Sequence, residues 1–183
     1  MKKFEEKTIR TEQIFKGKVI QVQVDDVELP DGKQSKREIV KHPGAVAIIP
    51  VTKNKKIIFV EQYRKPLEKS IIEIPAGKLE KGEKPETTAL RELEEETGYT
   101  ARPESLVFVD SFYTSPGFAD EIMHIYMADE LIPVENPAQS DDDEFLDLME
   151  LTLDEALQLM KEQRIHDAKT NYAVLYLKAS GLI

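Results

Sequence analysis

A chain of 183 residues is long enough for one domain with a hydrophobic core, and the absence of cysteine excludes a disulfide scaffold, a thiol nucleophile and a thiolate-bound zinc. Thirty-five Asp and Glu against 25 Lys and Arg leave a net charge of −10, which opposes nonspecific binding to nucleic acid. No apolar run approaches the ~20 residues of a membrane span and no secretory leader opens the chain, so the expectation is a cytoplasmic protein without a membrane partner. The three histidines, His42, His124 and His166, are scattered. Any bound metal is therefore expected to rest mainly on carboxylates, which favours a hard cation such as Mg²⁺.

Taken in chain order, the first pattern is a pair of β runs, residues 18–29 and 36–40, separated by the turn Pro30-Asp31-Gly32. Residues 45–51 and 57–60 are short, β-branched and apolar around a polar stretch, and read as a second hairpin. A further strand at 71–74 ends in Pro75-Ala76-Gly77. The periodicity then changes. Pro85 suits a first helical position, Glu86 the positive end of the helix dipole and Gly98 the C-terminal stop, with Ala89, Leu90 and Leu93 as the apolar stripe. Strands follow at 106–112, 122–127 and 145–151, then helices at about 153–161 and 167–180. Strands and helices interleave without βαβ spacing, which predicts an α/β protein with a mixed sheet flanked by helices.

The helix from Pro85 carries the chemistry. On a wheel of 100° per residue, Glu92, Glu95 and Glu96 share one face, while Ala89, Leu93 and Leu90 form the neighbouring apolar face. Glu94 points elsewhere, toward solvent. Arg91 stands four residues before Glu95, within reach of an ion pair that would orient it. An acidic helix face is by itself usually only a solvated surface. Residues 77–99, GKLEKGEKPETTALRELEEETGY, are more specific: Gly77, Glu83 after five residues, and Arg91-Glu92-Leu93-Glu94-Glu95-Glu96-Thr97-Gly98 after seven more.

This segment resembles the Nudix box at all of its fixed polar and glycine positions, with Tyr99 where the family usually has an aliphatic residue. The resemblance implies a Nudix α/β/α sandwich around a mixed sheet. It also implies hydrolysis of a nucleoside diphosphate linked to another moiety. Glu92, Glu96 and the Ala76 carbonyl become expected metal ligands, and Glu95 a ligand or a group just behind them. Gly77 allows close backbone approach, and Glu83 and Arg91 brace loop and helix. Cations suit this reaction because a diphosphate ester is already anionic and repels attacking water. Mg²⁺ is the expected ion, with Mn²⁺ as a substitute.

Beyond the box, the chain is similar to the ADP-ribose pyrophosphatase subgroup, through Pro116 in Ser115-Pro116-Gly117, Lys36-Arg37-Glu38-Ile39, Glu61-Gln62-Tyr63-Arg64 and Glu73-Ile74-Pro75-Ala76-Gly77. The resemblance places Arg64 on the diphosphate, Arg37 and Glu38 at the adenosine end, and Glu121 on the terminal ribose. It lines the substrate path with Ser115, Pro116, Gly117 and Lys78. Arginine suits a diphosphate through its planar fork of donors. The acidic run Asp141 to Glu144 falls where the subgroup carries a loop with a catalytic base and one further metal ligand. The alignment puts the base on Asp142 and the ligand on Glu144, and a slip of one or two residues would exchange them. The expected products are AMP and ribose 5-phosphate. GDP-mannose is the alternative substrate, and a non-catalytic ADP-ribose sensor the more distant alternative. The subgroup also implies a homodimer built through an antiparallel β region at 1–42, of which roughly residues 10–40 cross onto the partner, beside a catalytic domain at 43–183.

Overall fold

In the computed structural model, which describes residues 3–138 and 145–183, the chain divides into two compact units. One comprises residues 1–44 and 112–122, the other 45–111 and 123–183. In chain order the strands and helices are β1 (Lys7–Lys16), β2 (Gln21–Glu28), β3 (Gln34–Lys41), β4 (Ala45–Pro50), β5 (Ile57–Arg64), β6 (Lys69–Glu73), β7 (Ala76–Lys78), α1 (Pro85–Thr97) and β8 (Tyr99–Thr100). They continue with β9 (Val107–Tyr113), β10 (Ile122–Ala128), β11 (Ile132–Pro133), β12 (Leu146–Leu151), α2 (Leu153–Lys161) and α3 (Ala168–Ser180). Among the described residues, no helix is long and apolar enough to cross a membrane.

The first unit is an antiparallel sheet in the order β1-β2-β3. Its β2–β3 turn lies where Pro30-Asp31-Gly32 predicts it, with Gly32 at a φ of 83° and its N–H donating to the Leu29 carbonyl. β1 is a strand that hydrophobicity patterning misses. Every residue of it is exposed, so it carries no alternation of buried and solvated positions to read. The segment after β9 joins this unit through a parallel bridge between Val40 and Ala119.

The second unit holds a mixed sheet in the order β7-β4-β10-β9 and an antiparallel sheet in the order β12-β5-β6. β4 runs parallel to β10 and antiparallel to β7. All six residues of β4 are buried, as a continuous apolar run in a strand covered on both faces requires. On one face Val46, Ile48, Tyr126 and Ala128 pack with Ala89 and Leu93 of α1 in a single hydrophobic cluster. The architecture is the mixed α/β arrangement expected.

The expected second hairpin is corrected. β4 and β5 share one bridge, Val51 to Ile57, and then part into different sheets. The turn between them is real, closed by the Thr52 N–H on Lys56 O at 2.8 Å. β4 is apolar throughout and β5 over residues 57–60, and each strand is paired on both edges by strands other than its neighbour in sequence.

Helix boundaries follow their local signals. Pro85 begins α1, and Gly98 ends it in the left-handed conformation, its N–H donating to Glu94 O at 2.8 Å. α2 opens with a reciprocal capping box between Thr152 and Glu155, and α3 with Asp167 accepting from the Thr170 N–H.

Candidate active site

α1 anchors its apolar stripe on the mixed sheet, and the face beside that stripe carries the carboxylates. Glu92 and Glu96 are only 8% and 3% exposed, while Glu95 is half-buried. Burying carboxylates is unfavourable without partners, so each placement has a structural cause. Glu96 accepts from the backbone N–H of Ala76 at 3.1 Å, which ties the helix to β7. β7 pairs Ala76 with Ala47 and Gly77 with Val46, so the central sheet fixes the height of this loop against the helix.

Gly77 is required by proximity. A Cβ added there would fall 1.9 Å from Glu92 Oε1 and 2.4 Å from Oε2. The backbone thus passes against the carboxylate with no room for a side chain between them.

Arg91 organises the acidic groups. Its Nη1 donates to Glu92 at 2.7 Å and to Glu95 at 2.8 Å, the second being the i,i+4 pair anticipated from sequence. Its Nε and Nη2 reach Glu83 at 3.3 and 3.2 Å, and Nη2 also donates to the Lys78 carbonyl. Burial opposes the charge on Arg91, but Glu83, Glu92 and Glu95 outweigh it and raise its pKa. Burial pushes the Glu83 carboxyl up, and hydrogen bonds from Arg91 and Thr88 overcome this and hold it below its usual value. Thr88, buried and donating to Glu83 at 2.7 Å, was not legible as part of the site; as a small polar residue on the apolar side of α1 it carries no motif.

Glu83, Glu92 and Glu95 thus meet on one guanidinium, on the same helix as the buried Glu96. Among the described residues, no three acidic or histidine side chains converge as a ready ligand set. The donors nevertheless suit a divalent cation: oxygen atoms only, largely removed from water, on a rigid helix next to an unobstructed backbone.

Arg64, at the end of β5, pairs with Glu73 at the end of β6. Its pKa is raised: burial lowers it, and the hydrogen bonds and charge of Glu73 prevail, with Glu96 and Asp167 adding to the effect. Lys169 of α3 reaches the same carboxylate at 3.2 Å and Asp167 at 3.0 Å. Glu73 appeared in sequence only as part of a subgroup segment, and Lys169 and Asp167 carried no signal, because their meeting depends on how α3 docks.

Lys78 ends β7 with its side chain exposed, and Arg37, Glu38, Ser115, Pro116, Gly117 and Glu121 lie in the first unit. Arg37 forms a two-pronged pair with Glu6, at 2.6 and 2.8 Å, and Glu38 beside it is exposed. Ser115, Pro116 and Gly117 form a turn in which Ser115 O accepts from the N–H groups of Phe118 and Ala119. Glu121 accepts from Thr114 Oγ1 at 2.5 Å and lies 3.5 Å from His42 Nδ1. Asp142 and Glu144 lie outside the described residues.

Residues 41–172 match the NUDIX domain, and residues 6–40 match the nucleoside diphosphate sugar hydrolase N-terminal domain. The chain is 68% identical to the methanol dehydrogenase activator of Bacillus methanolicus, over 97% of this chain and 95% of that one. It is 63% identical to the ADP-ribose pyrophosphatase of Bacillus subtilis (strain 168), with the same coverage of each chain. A GDP-mannose pyrophosphatase of Cronobacter sakazakii is 29% identical over 86% of each chain. A crystal structure described as an ADP compounds hydrolase matches with a TM-score of 0.83 over 98% of this chain and 97% of that one. At 22% identity, that likeness speaks for the fold alone.

Proposed function

The chain belongs to the Nudix family, and from that premise we propose that it hydrolyses the diphosphate linkage of ADP-ribose to AMP and ribose 5-phosphate with the help of a divalent cation. The observation that carries this reading is the pair Glu92 and Glu96, buried on one face of α1 against a glycine with no room for a Cβ. The substrate assignment draws on the ADP-ribose pyrophosphatase relative, aligned over nearly the whole chain.

Glu92, Glu96 and the Ala76 carbonyl would hold the cation, Mg²⁺ with Mn²⁺ as a substitute, and Glu144 would add a further oxygen. When bound, the cation neutralises diphosphate charge and lowers the pKa of water. The protein's own groups do the rest. Arg91 orients Glu92 and Glu95. Arg64 binds diphosphate oxygens through its planar donors. Arg37 and Glu38 bind the adenosine end, Glu121 the terminal ribose, and Lys78 with Ser115, Pro116 and Gly117 the path between. Water adds to one phosphorus, the bridging P–O bond breaks, and the water's proton passes to Asp142. Glu95 is the alternative acceptor.

We place a second copy of the chain against the first unit. β1 is exposed along its whole length and presents Ile9, Ile14 and Phe15 to solvent, the kind of apolar strand surface that soluble proteins cover.

The test is turnover of a nucleotide-sugar panel with and without metal. ADP-ribose should be cleaved with the highest kcat/KM, and only with a divalent cation present. Faster cleavage of GDP-mannose would transfer the assignment to that substrate, and binding of ADP-ribose without turnover would make the chain a sensor. Asp142→Asn should depress kcat with metal affinity intact, whereas Glu144→Gln should raise the metal concentration needed for half-maximal rate.

A further inference from the structure

Glu73 is 3% exposed, and a carboxylate so buried is costly unless paired. It is paired twice. Arg64 Nε donates to both of its oxygens, at 3.2 and 3.1 Å, and Arg64 Nη2 donates to Oε2. Lys169 Nζ stands 3.2 Å from the same Oε2. Lys169 is itself held by Asp167 Oδ1 at 3.0 Å, the atom that also caps α3 by accepting from the Thr170 N–H. The strand register explains the first contact. Val60 lies opposite Glu73, and residues 60, 62 and 64 share a face of β5, so Arg64 leans back along that face.

This pairing consumes one edge of the guanidinium. Nε and Nη2 form the side fork that meets Glu73, and Nη1 makes no hydrogen bond to any described residue. The Arg64 side chain remains 38% exposed. An arginine with its side fork occupied keeps its end fork, Nη1 and the second Nη2 hydrogen, for two oxygens of a phosphate. Three residues beyond Glu73 the chain reaches Ala76, whose N–H donates to Glu96. One short peptide thus spans the partner of Arg64 and the loop beside the buried carboxylates.

We propose that Glu73, anchored by Lys169, is a positioning residue that fixes Arg64 with its outer fork presented to the diphosphate. The second cation keeps Glu73 seated while Arg64 serves both, so the guanidinium is ordered before substrate arrives. Ordering a long side chain in advance removes an entropic cost from binding.

The inference rests on the proposed hydrolysis for its substrate, and a double-mutant cycle tests it. kcat, KM for ADP-ribose and the metal concentration at half-maximal rate are measured for the wild type, Glu73→Gln, Arg64→Ala and the double variant. Glu73→Gln should raise KM about tenfold, change kcat by less than about threefold, and leave the metal requirement unmoved. In the Arg64→Ala background the same change should add nothing. Lys169→Met should give a smaller rise in KM, again only where Arg64 is present. Equal effects of Glu73→Gln in both backgrounds, or a shifted metal requirement, would overturn the proposal. The cycle is repeated by calorimetry with ADP, which needs no turnover. A chain that fails to cleave ADP-ribose then refutes the ADP-ribose reading, while the ADP cycle still decides the role of Glu73. Melting temperatures identify a variant that does not fold, and Glu73→Asp, which keeps the charge and shortens the reach, then replaces Glu73→Gln in the cycle.

Discussion

Replacing Gly77 with alanine adds one methyl group at the most confined point of the site. The new Cβ would meet Glu92 Oε1 at 1.9 Å and its carboxyl carbon at 2.0 Å, so the carboxylate must retreat by about 1.5 Å to reach ordinary contact. The end of a glutamate side chain often yields cheaply to such a push. Glu92 does not have that freedom, being 8% exposed and held by Arg91 Nη1 at 2.7 Å. Displacement therefore breaks the Arg91 contact or moves the β7 loop. Either result costs about 1–3 kcal/mol, as overpacking of a tight site does, and should lower the melting temperature by about 2–12 °C for a chain of this size. Activity should suffer more. Misplacing a reacting or metal-holding group by about 1 Å costs about 10²-fold in rate, so kcat/KM should fall by about that factor, with a higher metal requirement. The assay is metal-titrated hydrolysis of ADP-ribose beside a thermal melt. A variant within about threefold of wild type, with an unchanged metal curve, would show that Glu92 is not held where the reaction needs it.

Glu96→Gln should lower kcat by several orders of magnitude while the melting curve stays near wild type, because a glutamine oxygen can still accept from Ala76 N–H but carries no charge for a cation; activity within tenfold at saturating metal would defeat the assignment. Glu83 has a depressed pKa, so its contribution to stability is fully present above the unfolded carboxylate value of 4.5 and is lost as pH falls through the lower folded value. Arg91→Ala should flatten that acid limb, measured by denaturant unfolding of the metal-free protein between about pH 6 and 3; an unaltered limb would mean that Arg91 does not set it. Light scattering at micromolar concentration should give the mass of a dimer, and a monomer would refute the coverage of β1 by a second copy.

Much of α1 was legible in the chain alone, for a local reason. Pro85, Glu86 and Gly98 act within a turn of the ends they set, and the 100° step of the helix places Glu92 and Glu96 together whatever surrounds them. The spacing from Gly77 to Arg91 carried the family resemblance, and the i,i+4 offset carried the Arg91–Glu95 pair. The turn at Pro30-Asp31-Gly32 and the polar stretch before Ile57 were legible in the same way. Pairing between strands was not. Residues 45–51 and 57–60 look like two arms of a hairpin because they are adjacent and apolar, but an apolar run does not name its neighbour. β4 took β10 and β7, while β5 took β12 and β6. β1 escaped because exposure on every residue erases the alternation by which a strand is recognised. The seat of Arg64 depended on tertiary structure altogether. Glu73, Asp167 and Lys169 come together only when α3 docks, and burial then makes their charges demand one another. Local chemistry thus determined what the helix could hold, and long-range packing decided which partners would hold it in place.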